Sequence, residues 1–364
     1  MDLPPNDPPL PGTDQPTSGR PRRRPRYSGK YPKRFEQKYK EHAPDQFTET
    51  VSKVIASGKT PAGSHRPIMV DEILSVLAPK PGETAVDCTL GYGGHAREIV
   101  PRLLPGGRLL GFDQDTIELP KTEARLRSSG FGPDVFTAVA GNFAGLPGEL
   151  ANRGVNGVDM ILADLGVSSM QLDDPRRGFS VKEEGPLDMR MNPNRGQTAS
   201  ALLAGISAEP LANLLAENSD EPFASRIAES MAGRQVETTT ALIALIKGAL
   251  ARQGRDEVAI AIRRTFQALR IAVNNEFSAL EALLRVVPGC LKPRGRVAIL
   301  SFHSGEDRRV KKAFAAGLAA GTYEEISPEV IRPKSPERYA NPRSAPAKLR
   351  WARTPGASAH DGRD

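Results

Sequence analysis

Acidic and glycine residues recur where short apolar runs end, and that pairing is where the chain's chemistry concentrates. In Thr84-Ala-Val-Asp-Cys-Thr-Leu-Gly-Tyr-Gly-Gly-His95 an apolar run reaches Asp87 and then Gly91, Gly93 and Gly94. Glycines at such a turn let backbone approach a ligand without interference from Cβ. Asp113 closes a second run, Arg108 to Asp113, about 20 residues after the glycines, where a carboxylate can grip ribose hydroxyls. Asp164 closes a third, with Gly166 just behind it. At the carboxyl end of a central strand such an acid can accept hydrogen bonds from an exocyclic amine and orient it toward an electrophilic methyl. The glycine turn and Asp113 together predict a nucleoside-bearing cofactor.

Glycine spacing narrows the choice without closing it. The pattern Asp87-x-x-x-Gly91-x-Gly93-Gly94 is closer to the turn before the first helix of S-adenosylmethionine (SAM) methyltransferases. Ala96 stands where the dinucleotide fingerprint places its third glycine, and alanine is tolerated there, so a dehydrogenase using NAD stays open. Other chemistries find less support. His303, in Ser301-Phe-His-Ser-Gly-Glu-Asp307, follows a strand, but no Gly-x-Ser-x-Gly elbow surrounds Ser168 or Ser304. It reads as a loop histidine held by hydrogen bonds. His65 and His95 lack metal-ligand spacing, and Cys88 and Cys290 form no Cys-x-x-Cys pair, so no metal is expected.

These residues need a scaffold. Strand-like runs at 85–89, 108–113, 135–139, 158–165 and 296–302 alternate with helical patterns, which predicts an α/β fold with a mostly parallel sheet covered by helices. Between Gln171 and Asn275 the chain is too long for one crossover. It holds a polar loop, helices around 210–232 and 240–251, and a third from Asp256. That interval is expected to be an inserted helical domain. In the third helix Ile262, Phe266, Leu269 and Val273 share one face and are assigned to core. Arg263, Gln267, Arg270 and Asn274 share another, which either holds phosphates or faces water. A helix over 278–287 ends at Pro288-Gly289, and Lys292-Pro-Arg-Gly295 turns into the fifth strand.

The formal charge of +7 over 364 residues is concentrated at the ends: residues 1–40 hold ten Lys/Arg against four Asp/Glu, and residues 332–364 eight against three. The first tail is proline-rich, with Tyr27, Tyr31, Phe35 and Tyr39 interleaved among its cations. Its composition predicts disorder, either as an arm for a polyanion such as RNA or as a solubilising extension. With no long apolar run, no signal-peptide core and two distant cysteines, the expectation is a cytoplasmic protein with no membrane contact.

Eight segments then add up to a resemblance that runs in order from about Ser64 to about Thr354. They are His65-Arg-Pro-Ile-Met-Val-Asp-Glu72, Gly91-Tyr-Gly-Gly-His95, Asp164-Leu-Gly-Val-Ser-Ser-Met-Gln-Leu-Asp-Asp174, Arg177-Gly-Phe-Ser180, Gly185-Pro-Leu-Asp-Met-Arg-Met191, Arg264-Thr-Phe-Gln-Ala-Leu-Arg-Ile271, Ser301-Phe-His-Ser304 and Asn341-Pro-Arg343. The chain resembles the bacterial 16S ribosomal RNA cytosine-N4 methyltransferase family. The resemblance implies a Rossmann-like SAM-dependent methyltransferase sheet with an inserted all-helical domain. Its parts would be a basic extension (1–60), a first methyltransferase part (61–170), a helical substrate-recognition domain (171–275), a second methyltransferase part (276–354) and a tail (355–364). It implies methylation of the exocyclic N4 of one cytidine in the decoding region of 16S rRNA, within the small ribosomal subunit, with a homodimer left open.

By motif position, Gly93, Gly94 and His95 would hold the methionine end of SAM, Asp113 the ribose and Phe143 the adenine neighbourhood. Asp164 and Gln171 would lie at the reacting end, with Asp164 the catalytic acceptor. Many amino-methyltransferases carry Asp/Asn/Ser-Pro-Pro-aromatic at the strand end, whereas this chain has Asp164-Leu-Gly-Val167, so Tyr92 or Phe179 is the candidate base-stacking ring. Three departures stand out. Gly305 replaces the family's usual leucine, Ala345-Pro346 interrupts a polar run, and the basic arm before Ser64 is an addition.

Overall fold

The computed structural model describes residues 67–357. The 1–60 extension and most of the 355–364 tail therefore lie outside the described residues, as does His65. The chain opens with α1 (Val70–Leu77), β1 (Thr84–Asp87), α2 (Gly94–Leu103), β2 (Arg108–Asp113), α3 (Leu119–Ser128), β3 (Phe136–Ala140), α4 (Leu146–Asn152) and β4 (Val158–Asp164). Helices α5 (Ser169–Asp173), α6 (Ala199–Gly205), α7 (Ala208–Ser219), α8 (Ala224–Met231), α9 (Thr239–Ala249) and α10 (Arg255–Asn274) follow. The chain returns through α11 (Glu276–Cys290), β5 (Leu291–Ser301), α12 (Ser304–Ala319), β6 (Glu325–Ile326), α13 (Ser335–Ala340) and β7 (Lys348–Arg353).

The sheet has the order β3-β2-β1-β4-β5-β7-β6. Strands β1 to β5 are parallel, and β7 runs antiparallel between β5 and β6. Alternation along β1 sends Ala85 into the core beneath α1, α2 and α3 and Val86 into the core beneath α4, α11 and α12. After β1 the chain builds outward through β2 and β3, then returns to place β4 on the other side of β1. That reversal opens a crevice beyond the carboxyl ends of β1 and β4. Asp87, Asp113 and Asp164 are the last residues of β1, β2 and β4; Asp113 and Asp164 line the crevice, and Asp87 is buried outside its wall.

A second core, drawn entirely from Phe179 to Val273, is closed by α6 to α10 and includes Ile262, Phe266, Leu269 and Val273 as expected. Several boundaries differ from expectation. The predicted helix over 210–232 is two helices, because Asp220 adopts φ 51° and Pro222 follows it. An unpredicted α6 starts where the Thr198 side chain accepts the Ala201 N–H. Helix α11 does not end at Pro288 but continues to Cys290, its last turn held by buried Val287 and Cys290. The segment Lys292–Gly295 is an irregularity inside β5, with Arg294 at φ 59°, rather than a turn before it. The strands β6 and β7 were not foreseen. The expected helix-rich insert and parallel sheet are both present.

Leu269 is fully buried in the second core, whereas Ile260 on the same helix is 41% exposed. In urea denaturation, Leu269→Ala is expected to cost about 2–5 kcal/mol and Ile260→Ala less than about 0.5 kcal/mol. Equal effects would contradict this placement of the helix.

Candidate active site

The crevice is a cavity of about 530 Å³ whose wall includes Gly91, Tyr92, Gly94, His95, Asp113, Phe143, Asp164 and Gln171. Six of the seven residues expected from sequence are thus brought together. Gly93 is not in the wall. It holds φ 79° as the residue before α2, and a Cβ there would press on Thr122 and Leu126 of α3 at 3.1 Å. A Cβ on Gly94 would come within 2.4 Å of the Pro67 ring. These two glycines are required by backbone conformation and packing as well as by ligand approach.

The three strand-end acids differ in how far their oxygens are satisfied. Asp87 is 1% exposed, and its Oδ1 accepts the Thr89 N–H at 3.0 Å while its buried Oδ2 has no hydrogen-bond partner. Burial pushes its carboxyl up to about 6, against the opposing pull of His95 and the Thr89 N–H. Asp113 accepts the N–H groups of Gly91 and Asp115, both at 2.8 Å, yet burial still raises it to about 6. For Asp164, burial and then the neighbouring Glu306 carboxylate raise the group to about 7. Its Oδ2 lies 3.6 Å from His95 Nδ1. The other ring nitrogen of His95 is 3.0 Å from the Ile68 carbonyl, so Nε2 carries the proton in the neutral ring and Nδ1 is left to accept from Asp164. Among the described residues no backbone N–H bonds the Asp164 carboxylate, which sets aside a turn-capping role.

Behind this rim lies an inner shell that the sequence did not disclose. Asp115 is 1% exposed, and its Oδ2 accepts from Gln171 Nε2 and Arg177 Nη1, each at 2.8 Å. Arg177 also donates to the Arg190 and Met191 carbonyls. Gln171, expected to face a ligand, is therefore also structural: its Oε1 accepts the Ser168 N–H in the capping box of α5. The polar face of α10 neither holds free phosphate sites nor simply faces water, apart from exposed Arg263. Gln267 donates to the Asn218 carbonyl, Arg270 makes a bidentate pair with Glu276 at 2.8 and 2.9 Å, and Asn274 clasps the Met189 and Met191 backbone. Arg270, Asn274 and Glu276 all reach the cavity wall. Apart from the Arg270–Glu276 pair, six residues apart across the break between α10 and α11, these pairings span tens of residues, so no local pattern announces them.

Other expectations resolve individually. Phe179 is 5% exposed in the helical core and cannot stack on a base in the cavity. Tyr92 lines the cavity with the Arg125 guanidinium 3.8 Å from its ring centre. His303 caps α12, its Nδ1 accepting the Glu306 N–H at 3.4 Å, in agreement with a hydrogen-bonded loop histidine. Gly305 has a steric reason: a Cβ there would lie 2.6 Å from the Phe277 ring, which fills the space a leucine would need. Glu306, 2% exposed, accepts the Phe302 N–H. Although burial opposes ionisation, His303, Arg270 and that N–H hold it below the usual carboxylate range. Among the described residues no group of His, Cys, Asp and Glu could hold a metal, and no helix is long and apolar enough to cross a membrane.

A Rossmann-like sheet with Asp113 and Asp164 on the wall of the crevice at its strand reversal fits the class of SAM-dependent methyltransferases. The chain belongs to the MraW methylase family, whose model matches residues 62–355, and S-adenosylmethionine is its cofactor. It is 48% identical over 340 residues to the ribosomal RNA small subunit methyltransferase H 1 of Agathobacter rectalis, covering 91% of this chain and 97% of that protein. To the ribosomal RNA small subunit methyltransferase H 2 of Alkaliphilus metalliredigens it is 48% identical over 339 residues, covering 91% and 97%. A Geobacter sulfurreducens ribosomal RNA small subunit methyltransferase H is 41% identical over 308 residues, covering 79% and 98%. The alignment that takes in 91% of the chain reaches into the arm before Ser64, so part of the arm is shared with that relative, whereas the alignment with the Geobacter protein takes in 79%.

Removing Arg177 would leave Asp115 buried with Gln171 as its one remaining side-chain donor among the described residues. Arg177→Met is expected to lower the unfolding free energy by about 3–5 kcal/mol in denaturant titration. A loss below about 1 kcal/mol would show that the clamp carries little.

Proposed function

We propose that this protein methylates the exocyclic N4 of one cytidine in the decoding region of small-subunit ribosomal RNA. The relatives named as ribosomal RNA small subunit methyltransferases support the RNA substrate. The single observation that carries the amino chemistry is the Asp164 carboxyl, in the cavity wall, raised to about 7 and backed by His95. When bound, SAM would supply the electrophilic methyl, its sulfur–methyl bond breaking as the methyl moves to nitrogen and the neutral thioether being the leaving group. In this reading Gly94 and His95 flank its methionine end, with Gly93 setting the turn, Asp113 takes the ribose hydroxyls and Phe143 packs near the adenine. Gln171 acts by fixing the loop after β4.

Cytosine N4 is a weak nucleophile because its lone pair is delocalised into the ring. Attack requires the amine to be held in line and to become tetrahedral, which is a task of positioning and local electrostatics. Asp164 accepts a hydrogen bond from N4–H and takes that proton as the new C–N bond forms. His95 Nδ1, 3.6 Å further on, is the next acceptor. A general base is most effective with its pKa close to the working pH, and a carboxyl near 7 meets that condition. The helical part, residues 171–275, serves in this reading as the substrate-recognition domain. A nicotinamide dinucleotide is disfavoured, since its pyrophosphate would face the same carboxylates.

Incubation with labelled SAM and either naked 16S RNA or assembled small subunits tests the reading, with N4-methylcytidine in the digested RNA as the expected product. Asp164→Asn is expected to slow single-turnover methylation by roughly 10²- to 10⁴-fold. At SAM concentrations well below saturation the wild-type rate should fall as pH drops below about 7, where Asp164 of the free protein takes up its proton. Undiminished turnover of Asp164→Asn at saturating SAM would remove it from catalysis.

A further inference from the structure

We propose that Tyr339 is a stacking ledge for a single-stranded nucleotide flanking the base that enters the cavity. The inference rests on the RNA-methyltransferase reading and adds to it a contact outside the cavity. Tyr339 is 92% exposed, whereas the other exposed large apolar side chains among the described residues lie between 37% and 42%. An aromatic ring left this open forgoes the burial that ordinarily recovers its hydration cost.

The exposure is not that of a loose end. Helix α13 is pinned to α1 by the Glu337 carboxylate, which accepts the Met69 N–H at 2.7 Å. Just beyond, the Asn341 N–H donates to the Glu337 carbonyl at 2.7 Å, and Arg343 makes a two-point pair with Asp173 at 2.6 and 3.1 Å. Asn341, Pro342 and Arg343 belong to the cavity wall. Tyr339 is two residues from that wall, at most about 8 Å along the backbone.

Charge around the ring selects the occupant. Arg332, Lys334 and Arg338 are exposed on the same segment, and its acid, Glu337, is committed to the Met69 N–H. The ion pair of Lys334 with Glu72, at 3.6 Å, leaves the lysine side chain 75% exposed. An aromatic platform among cations beside a deep pocket is the arrangement that tracks single-stranded nucleic acid, with bases stacked on the ring and phosphates on the cations. A base drawn out into a cavity leaves its neighbour unstacked, and a ring at the rim replaces the lost stacking. A protein partner would find little apolar area here beyond the one ring.

The full chain is tested as wild type, Tyr339→Ala and Tyr339→Phe, measuring KM for undermethylated small-subunit RNA and Kd for SAM. Tyr339→Ala is expected to raise KM roughly 5- to 100-fold with SAM binding unchanged, and Tyr339→Phe to stay within about twofold of wild type. A second readout does not depend on methyl transfer: fluorescence added by Tyr339→Trp should be quenched by oligoadenylate and not by free phosphate. An unquenched tryptophan overturns the ledge, as does a wild-type KM for Tyr339→Ala, including the case where that variant instead changes self-association. If quenching occurs while the wild-type chain methylates no ribosomal RNA, the ledge stands and the proposed reaction falls.

Discussion

Three carboxylates gathered at adjacent strand ends, Asp87 buried and Asp113 and Asp164 on the crevice wall, are the constraint around which this molecule is built. Asp87, Asp113 and Asp164 terminate β1, β2 and β4, and each titrates well above an ordinary aspartate because burial penalises its charge. The folded chain without a bound cation therefore keeps protons that the unfolded chain releases between about pH 4 and 7. Its stability declines as pH rises through that window. Opposite charge in the crevice reverses the sign, since a sulfonium favours the ionised form of every carboxylate near it. The buried Asp87 oxygen that lacks a partner is consistent with a carboxyl that burial keeps protonated up to about pH 6.

The rest of the structure keeps those acids in place and roofs the crevice. Thr89 Oγ accepts the Asp164 N–H at 2.6 Å, tying the end of β4 to the loop after β1. Asp115, two residues past the end of β2, gathers Gln171 and Arg177, and Arg177 in turn holds the Met191 backbone that Asn274 grips from α10. The helical part is thus bound to the sheet through buried charge and amide contacts whose removal would strand a partner. Arg270 and Glu276 complete the wall at the junction of α10 and α11. The chain is net positive, yet the charge turned into the crevice is largely negative.

Much of this was legible from one sequence, for physical reasons. Buried parallel strands read as continuous apolar runs, and an acid or glycine ending such a run marks the edge where ligands sit, so Asp113, Asp164 and the glycine turn could be found locally. The face of α10 bearing Phe266 and Leu269 followed from helical periodicity. What escaped depends on distance in the chain. The pairing of Asp115 with Arg177 and of Asp173 with Arg343 leaves no spacing signature, and that of Arg270 with Glu276, only six residues apart, crosses the break between two helices. Phe179 looked like a free aromatic in a polar loop because nothing nearby in sequence reveals the core it enters. The two-residue edge strand β6 and the antiparallel β7 inside it are defined by their partners across the sheet rather than by composition.

The central claim is that the acid rim is built to receive positive charge, and proton release on cofactor binding reads it directly. Calorimetric titration near pH 6.5, repeated in buffers of different ionisation enthalpy, should show protons leaving the protein when SAM binds. S-adenosylhomocysteine, which lacks the sulfonium charge, should release measurably fewer. Equal proton release for the two ligands, or uptake with SAM, would contradict the account.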